Sequence, residues 1–186
     1  MIFWLLGGAA LIMVSAKPAR EFVLEKISLN QNWNRWDKDF KAAGLKYSVP
    51  WQWLKAIALN ESTLGTYPSV ALGIQEPKNV EGSKSQDGKS WGLMQVTLTT
   101  GRGLDPFCTE EKLNNPLYSI DLGAKYVAQM AKRFPQVEVR YVEWVIKSYN
   151  QGPGNTDKER AGKISGYAGE YWDRFKRNLI KVEADT

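Results

Sequence analysis

The chain contains no histidine. That absence removes Ser-His and Cys-His nucleophilic catalysis, and with them the commonest metal ligand. There is one cysteine, Cys108, so no disulfide can form within the chain. Without histidine or a second cysteine the residues argue against a zinc site, and no Asp-x-Asp-x-Asp-Gly loop offers a calcium site. No internal repeat, low-complexity tract or Ser/Gly linker divides the sequence, and no nucleic-acid-binding motif occurs in it. Period-two alternation is scarce, which excludes an architecture built mainly of strands.

What is present describes a globular chain. Its 186 residues are 43% hydrophobic and 12% aromatic, enough for one domain with a real core. The eight tryptophans read mostly as core, although aromatic faces also stack on sugar rings. A net charge of +5 favours anionic polymers, but the basic residues do not cluster strongly and read as a solvated face.

Residues 2–16 carry no charge and are closed by Lys17, Pro18 and Arg20. A full membrane span needs roughly 17–25 apolar residues, so this run is at the short end. Val14-Ser15-Ala16 resembles a signal cleavage site, yet the basic leader is missing. The expectation is an N-terminal hydrophobic helix, either anchor or signal segment, over residues 1–22, followed by one domain over 23–186. By the positive-inside rule alone the basic residues after the run would keep the domain in the cytoplasm.

From about residue 30 onward the pattern is helical. Trp33, Trp36 and Phe40 recur at helical spacing between Leu29 and about Ala43. Ser48 is placed to cap a helix that has Pro50 in its first turn and runs to about Ser62. At 100° per residue from Trp51, the positions Trp53, Ile57, Glu61, Leu54 and Ala58 fall at about 200°, 240°, 280°, 300° and 340°. Glu61 therefore lies inside the apolar arc, with Gln52 and Lys55 facing the other way, although Leu59 does too. Residues 63–91 read as a long loop, with a small β-ribbon around 72–96. Asn115-Pro116 opens a helix to about Phe134, Val142 to Tyr149 form another that Gly152-Pro153-Gly154 stops, and Tyr167, Tyr171, Trp172, Phe175 and Leu179 mark a terminal one.

Glu61 is the first candidate for chemistry. A glutamate at a helix end is usually solvated or paired. On an apolar arc it keeps its proton more readily and can act as a general acid, and periodicity leaves both readings open. Gln95 in Gly92-Leu93-Met94-Gln95 offers a donor and an acceptor suited to a sugar amide. Tyr149 sits on the apolar face of its helix and needs a partner for its hydroxyl, for which a buried carboxyl group would serve. Asn150 and the following turn also read as a plain helix stop.

Taken together, Glu61-Ser62, Gly92-Leu93-Met94-Gln95, Ser119-Ile120-Asp121-Leu122-Gly123-Ala124-Lys125-Tyr126 and Tyr149-Asn150-Gln151-Gly152-Pro153-Gly154 resemble, in order, the catalytic domain of soluble-type lytic transglycosylases. The likeness covers roughly residues 45–155. It implies a mainly α, lysozyme-like domain similar in fold to goose-type lysozyme. It also implies a single catalytic acid/base at Glu61, no cofactor, and peptidoglycan glycan strands as partner. Ser62, Gly92, Leu93, Met94, Gln95, Tyr149 and Asn150 would form the substrate site, with Tyr149 bonded to Glu61. The stretch between Glu61 and Gly92 is longer than is typical of the family, and Asp87 within it would supply any second carboxylate.

The expected activity is non-hydrolytic cleavage between N-acetylmuramic acid and N-acetylglucosamine. The alternatives are a hydrolytic muramidase acting on the same bond, and an inactive wall-binding or virion component. An enzyme held to the membrane through residues 2–16 and working on the periplasmic wall fits a phage virion or a secretion or conjugation apparatus.

Overall fold

The computed structural model describes residues 32–65 and 89–186. The expected hydrophobic helix at residues 2–16, most of the long loop and Asp87 lie outside them. Among the described residues no helix is long and apolar enough to cross a membrane.

The described chain is mainly helical. In order it forms α1 (Asp37–Tyr47), α2 (Trp51–Ser62), β1 (Ser90–Trp91), β2 (Val96–Thr97), α3 (Leu98–Leu104) and α4 (Glu110–Asn114). Then follow α5 (Pro116–Arg133), α6 (Tyr141–Gln151), α7 (Pro153–Arg160) and α8 (Gly169–Glu183). The strands pair antiparallel, Ser90 opposite Thr97 and Trp91 opposite Val96. The ribbon thus occupies the C-terminal end of the expected range and extends one residue past it.

Local chemistry explains most boundaries. The Asn115 side chain accepts from the amides of Leu117 and Tyr118, and Pro116 occupies the first helical position of α5. Thr97 caps α3 and Thr109 caps α4 in the same manner. These two short helices have too little periodicity to be read from sequence. Ser48 does not cap α2. It adopts a left-handed conformation at φ 57° as the C-terminal cap of α1, and Pro50 stands just before α2. Gly152 stops α6 as expected, but Pro153 then starts α7, so the turn joins two helices.

The central helix is α2, packed against α1, α5 and α8. Leu54, Ile57 and Ala58 are fully buried among Phe40, Met94, Val127, Ile146 and Phe175. Lys55 departs from the helical wheel, being 1% exposed. Its ammonium lies 2.7 Å from Asp37 Oδ1 and 4.6 Å from the centre of the Trp33 ring. An ion pair and an aromatic face together compensate the lost hydration, which the angular position alone does not reveal.

Gly92 turns the chain between the strands at φ +81°, and a Cβ there would lie 2.0 Å from the Leu113 carbonyl oxygen. Both the left-handed backbone and the close approach require glycine. Gly92→Ala is expected to destabilise the domain by at least about 2 kcal/mol. Thermal unfolding should show a midpoint lower by about 4–8 °C.

Candidate functional site

Glu61 occupies the last turn of α2 and is half-buried. A helix C-terminus carries partial negative charge, so neither the dipole nor the apolar surroundings favour a carboxylate there. Its Oε1 accepts a hydrogen bond of 2.7 Å from the Tyr171 hydroxyl. Tyr171, 4% exposed, comes from the first turn of α8. Two further bonds fix that helix against α2. Asn60 Nδ2 donates to the Tyr171 carbonyl at 3.0 Å, and Asn178 Nδ2 donates to Asn60 Oδ1 at 2.7 Å.

Burial pushes the Glu61 carboxyl from its ordinary 4.5 up to about 7, while the Tyr171 hydrogen bond and the charge of Arg174 pull it back down. Burial also holds the phenols of Tyr149 and Tyr171 well above 10, with the charge of Glu61 adding to the effect. Near neutrality the site therefore holds a carboxyl group poised between its two forms, beside phenols that keep their protons. Such a group can give a proton to a bound oxygen and accept another.

The blocks singled out in the sequence do meet, through backbone bonds to one turn. The Ser62 hydroxyl donates to the Leu93 carbonyl at 2.7 Å. The Tyr149 hydroxyl donates to the Met94 carbonyl at 2.7 Å, and the Ser119 hydroxyl accepts from the Met94 amide at 3.0 Å. Gln95 Nε2 donates to the Gly92 carbonyl at 2.8 Å, with Gln95 itself left-handed at φ 48°. Met94 is fully buried against α5, where a Cβ on Gly123 would lie 2.9 Å from its side chain. Glycine at 123 is thus the residue that lets the turn seat on the helix.

These contacts revise the expected roles. The phenol that donates to Glu61 is that of Tyr171, while the Tyr149 hydroxyl donates to the Met94 carbonyl. Ser62, Leu93 and Met94 are buried and hold the turn beside Glu61, so they do not present side chains to an open groove. Gln95 is 8% exposed, and Asn150 is exposed at the end of α6. Tyr171 went unassigned in the sequence although it lay on the apolar stripe of the terminal helix. The signal was the same as for Tyr149: a tyrosine on a buried face needs a partner for its hydroxyl.

Comparison with known proteins identifies the family of the chain. Residues 38–166 match the family described as the transglycosylase SLT domain. The chain belongs to that family. Its fold is accordingly that of a mainly helical, lysozyme-like SLT domain with a small two-stranded sheet. The SLT domain is similar to the membrane-bound lytic murein transglycosylase F of Cellvibrio japonicus (strain Ueda107), at 30% identity over 135 residues, covering 71% of this chain and 23% of the relative. It is also similar to the protein of the same name in Hahella chejuensis (strain KCTC 2396), at 26% identity over 148 residues, covering 78% of this chain and 25% of the relative. The chain thus spans about a quarter of the length of these curated relatives. The matched segment contains Glu61, the turn and Tyr149, and ends before α8 and Tyr171.

Two outcomes follow for this site. Tyr171→Phe removes a bond that favours the ionised carboxylate, so the Glu61 pKa should move above 7, as read by NMR titration of 13C-labelled glutamate. Raised pKa values also have a sign in stability. The folded state holds the Glu61 proton more tightly than the unfolded chain, so the carboxyl contributes stability below about pH 4.5 that is lost as pH rises through about 7. In Glu61→Gln that loss is absent. The variant should gain on wild type across this window by at most about 3 kcal/mol, visible in thermal midpoints measured at pH 4 and pH 8.

Proposed function

We propose that this SLT domain is a peptidoglycan lytic transglycosylase that cleaves the β-1,4 bond between N-acetylmuramic acid and N-acetylglucosamine, with Glu61 as its acid/base. The observation that carries the reading is one half-buried carboxyl group with a pKa near 7, bonded to a tyrosine at 2.7 Å. Two-carboxylate glycosidases split the tasks of acid and nucleophile or base between two groups. One group suffices when the substrate supplies the nucleophiles.

In the proposed sequence, protonated Glu61 gives its proton to the glycosidic oxygen. The bond from that oxygen to C1 of the muramic acid breaks, and the N-acetylglucosamine end leaves as an alcohol. The carbonyl oxygen of the same muramic acid's acetamido group bonds to C1 and spreads the positive charge. Glu61, now a carboxylate, takes the proton of the C6 hydroxyl. That oxygen attacks C1 and expels the acetamido oxygen. A 1,6-anhydro ring closes without water, and Glu61 is again protonated. Holding C6 near C1 makes the closing step intramolecular, which lowers its entropic cost. Gln95 and Asn150 are the candidate contacts to the sugar. Ser62, Gly92, Leu93, Met94 and Tyr149 act by keeping the turn in place.

The same reading includes the setting. A domain held to the membrane through residues 2–16 and acting on the periplasmic wall would open it locally, in phage entry or exit or for a trans-envelope machine. The names of the two membrane-bound relatives support the membrane association.

Mass spectrometry of digests of purified peptidoglycan tests the chemistry. Anhydro-ended fragments, lighter by one water than hydrolytic products, are expected, and fully hydrated reducing ends would mean a muramidase instead. Glu61→Gln should lower the rate by at least about a thousandfold while the circular dichroism spectrum is kept. Wild-type activity should decline as pH rises through about 7, because the proton-donating form is lost.

A further inference from the structure

The helix that supplies Tyr171 also carries a row of cations that form no ion pair among the described residues, although Arg177 is close enough for its charge to help lower the Asp173 carboxyl. With Tyr171 at zero and 100° per residue, Phe175, Asn178 and Val182 fall at about 40°, −20° and 20°, on the face turned to α2. Arg174, Arg177 and Lys181 fall at about −60°, −120° and −80°, along one flank, and extend over about 10 Å of helix. All three are exposed. None forms an ion pair among the described residues, and Glu170, one turn before Arg174 on that flank, makes no ion-pair contact with it. On the opposite flank Lys176 is paired with Asp173 at 2.8 Å.

Arg174 is the member of the row nearest the catalytic group. Its guanidinium carbon lies 5.9 Å from the centre of the Tyr171 ring, and the hydroxyl of that ring is bonded to Glu61. Its charge is felt at the Glu61 carboxyl. An exposed guanidinium beside the Tyr171–Glu61 pair, with no ion-pair partner among the described residues and two more cations behind it, is complementary to an anionic substituent on the substrate. Peptidoglycan strands carry such groups in the free carboxylates of the short peptides attached to each muramic acid. In a peptide-bearing strand the lactyl carboxyl of muramic acid is taken up in the amide bond to the stem, so the stem carboxylates are the anions nearest the cleaved sugar.

We propose that the flank of α8 formed by Arg174, Arg177 and Lys181 binds the carboxylates of the stem peptides. Arg174 would engage the stem on the sugar being cleaved and make the enzyme selective for acidic, peptide-bearing strands. The inference rests on the glycan-cleaving reading above and adds a determinant of specificity outside the matched segment of the family. A guanidinium suits the task because its planar fork donates two parallel hydrogen bonds to a carboxylate.

The test compares kcat/KM on two substrates: uncrosslinked peptidoglycan strands with native stems, and the same strands with stem carboxylates converted to amides. Wild type should prefer the native strands by roughly fivefold at low salt, through KM, and lose the preference as ionic strength rises. In Arg174→Gln the ratio should fall towards one, and Arg174→Lys should restore part of it. A role confined to the electrostatics of Glu61 would instead shift the pH profile equally on both substrates and leave their ratio untouched, which would overturn the proposal. So would a wild-type ratio of one. Absence of cleavage of both substrates by wild type would refute the glycan-cleaving reading itself.

Discussion

The hydrogen bond between Tyr171 and Glu61 joins residues 110 positions apart and ties the last helix to the central one. The proposed chemistry of the domain depends on it. A carboxyl group at the C-terminal end of a helix, half out of water, is costly to ionise and free to rotate unless something holds it. Tyr171 does the holding, and Asn60 and Asn178 fix the helix that carries Tyr171. The bond also moderates the group, returning part of the stability of the charged form that burial removes. Acid and base capacity near neutrality come from the balance of these two effects.

The opposite end of the central helix is secured by a different device. Lys55 is buried against Trp33 and paired with Asp37, two turns before Glu61. Lys147 plays a comparable part between α6 and α7, where it meets Glu143 at 2.9 Å and Glu159 at 2.5 Å. Buried ion pairs are weak evidence for stability, since desolvation offsets much of the attraction. Removing one partner leaves the other charge stranded, so they enforce one arrangement of helices over others. Between these anchors the Gly92–Gln95 turn is held from three sides by Ser62, Ser119 and Tyr149.

Much of this was legible in the residues. The helices with a long apolar stripe, α5 and α6, were found at nearly their observed bounds, through the Asn115 cap of one and the Gly152 stop of the other, while α8 was found by its stripe but begins at Gly169, past Tyr167. The position of Glu61 on the buried side of α2 followed from the same arithmetic. Two kinds of feature were not legible. Short helices such as α3 and α4 arise from caps and tertiary contacts with too few residues to show a period. Partners across the fold were also hidden: the wheel turned Lys55 to solvent because it has no term for an aromatic face arriving from residue 33. Tyr149 and Tyr171 made equal claims on Glu61 by residue type, and only the three-dimensional path of the chain decides between them. The motif residues Ser62, Leu93 and Met94 were assigned to contact with sugar; in the structure they are buried and bonded within and around the turn beside Glu61.

The missing histidine and the raised pKa of Glu61 together have a practical corollary for anyone following protons in this molecule. Proteins commonly take up and release protons around neutrality at several imidazoles, and the response of one functional group is lost in the sum. Here no imidazole contributes. Potentiometric or calorimetric proton counts on the folded chain near pH 7 therefore see the acid against an unusually quiet background, and a bound oligosaccharide that changes its affinity for hydrogen ions would register in buffer-dependent heats of binding.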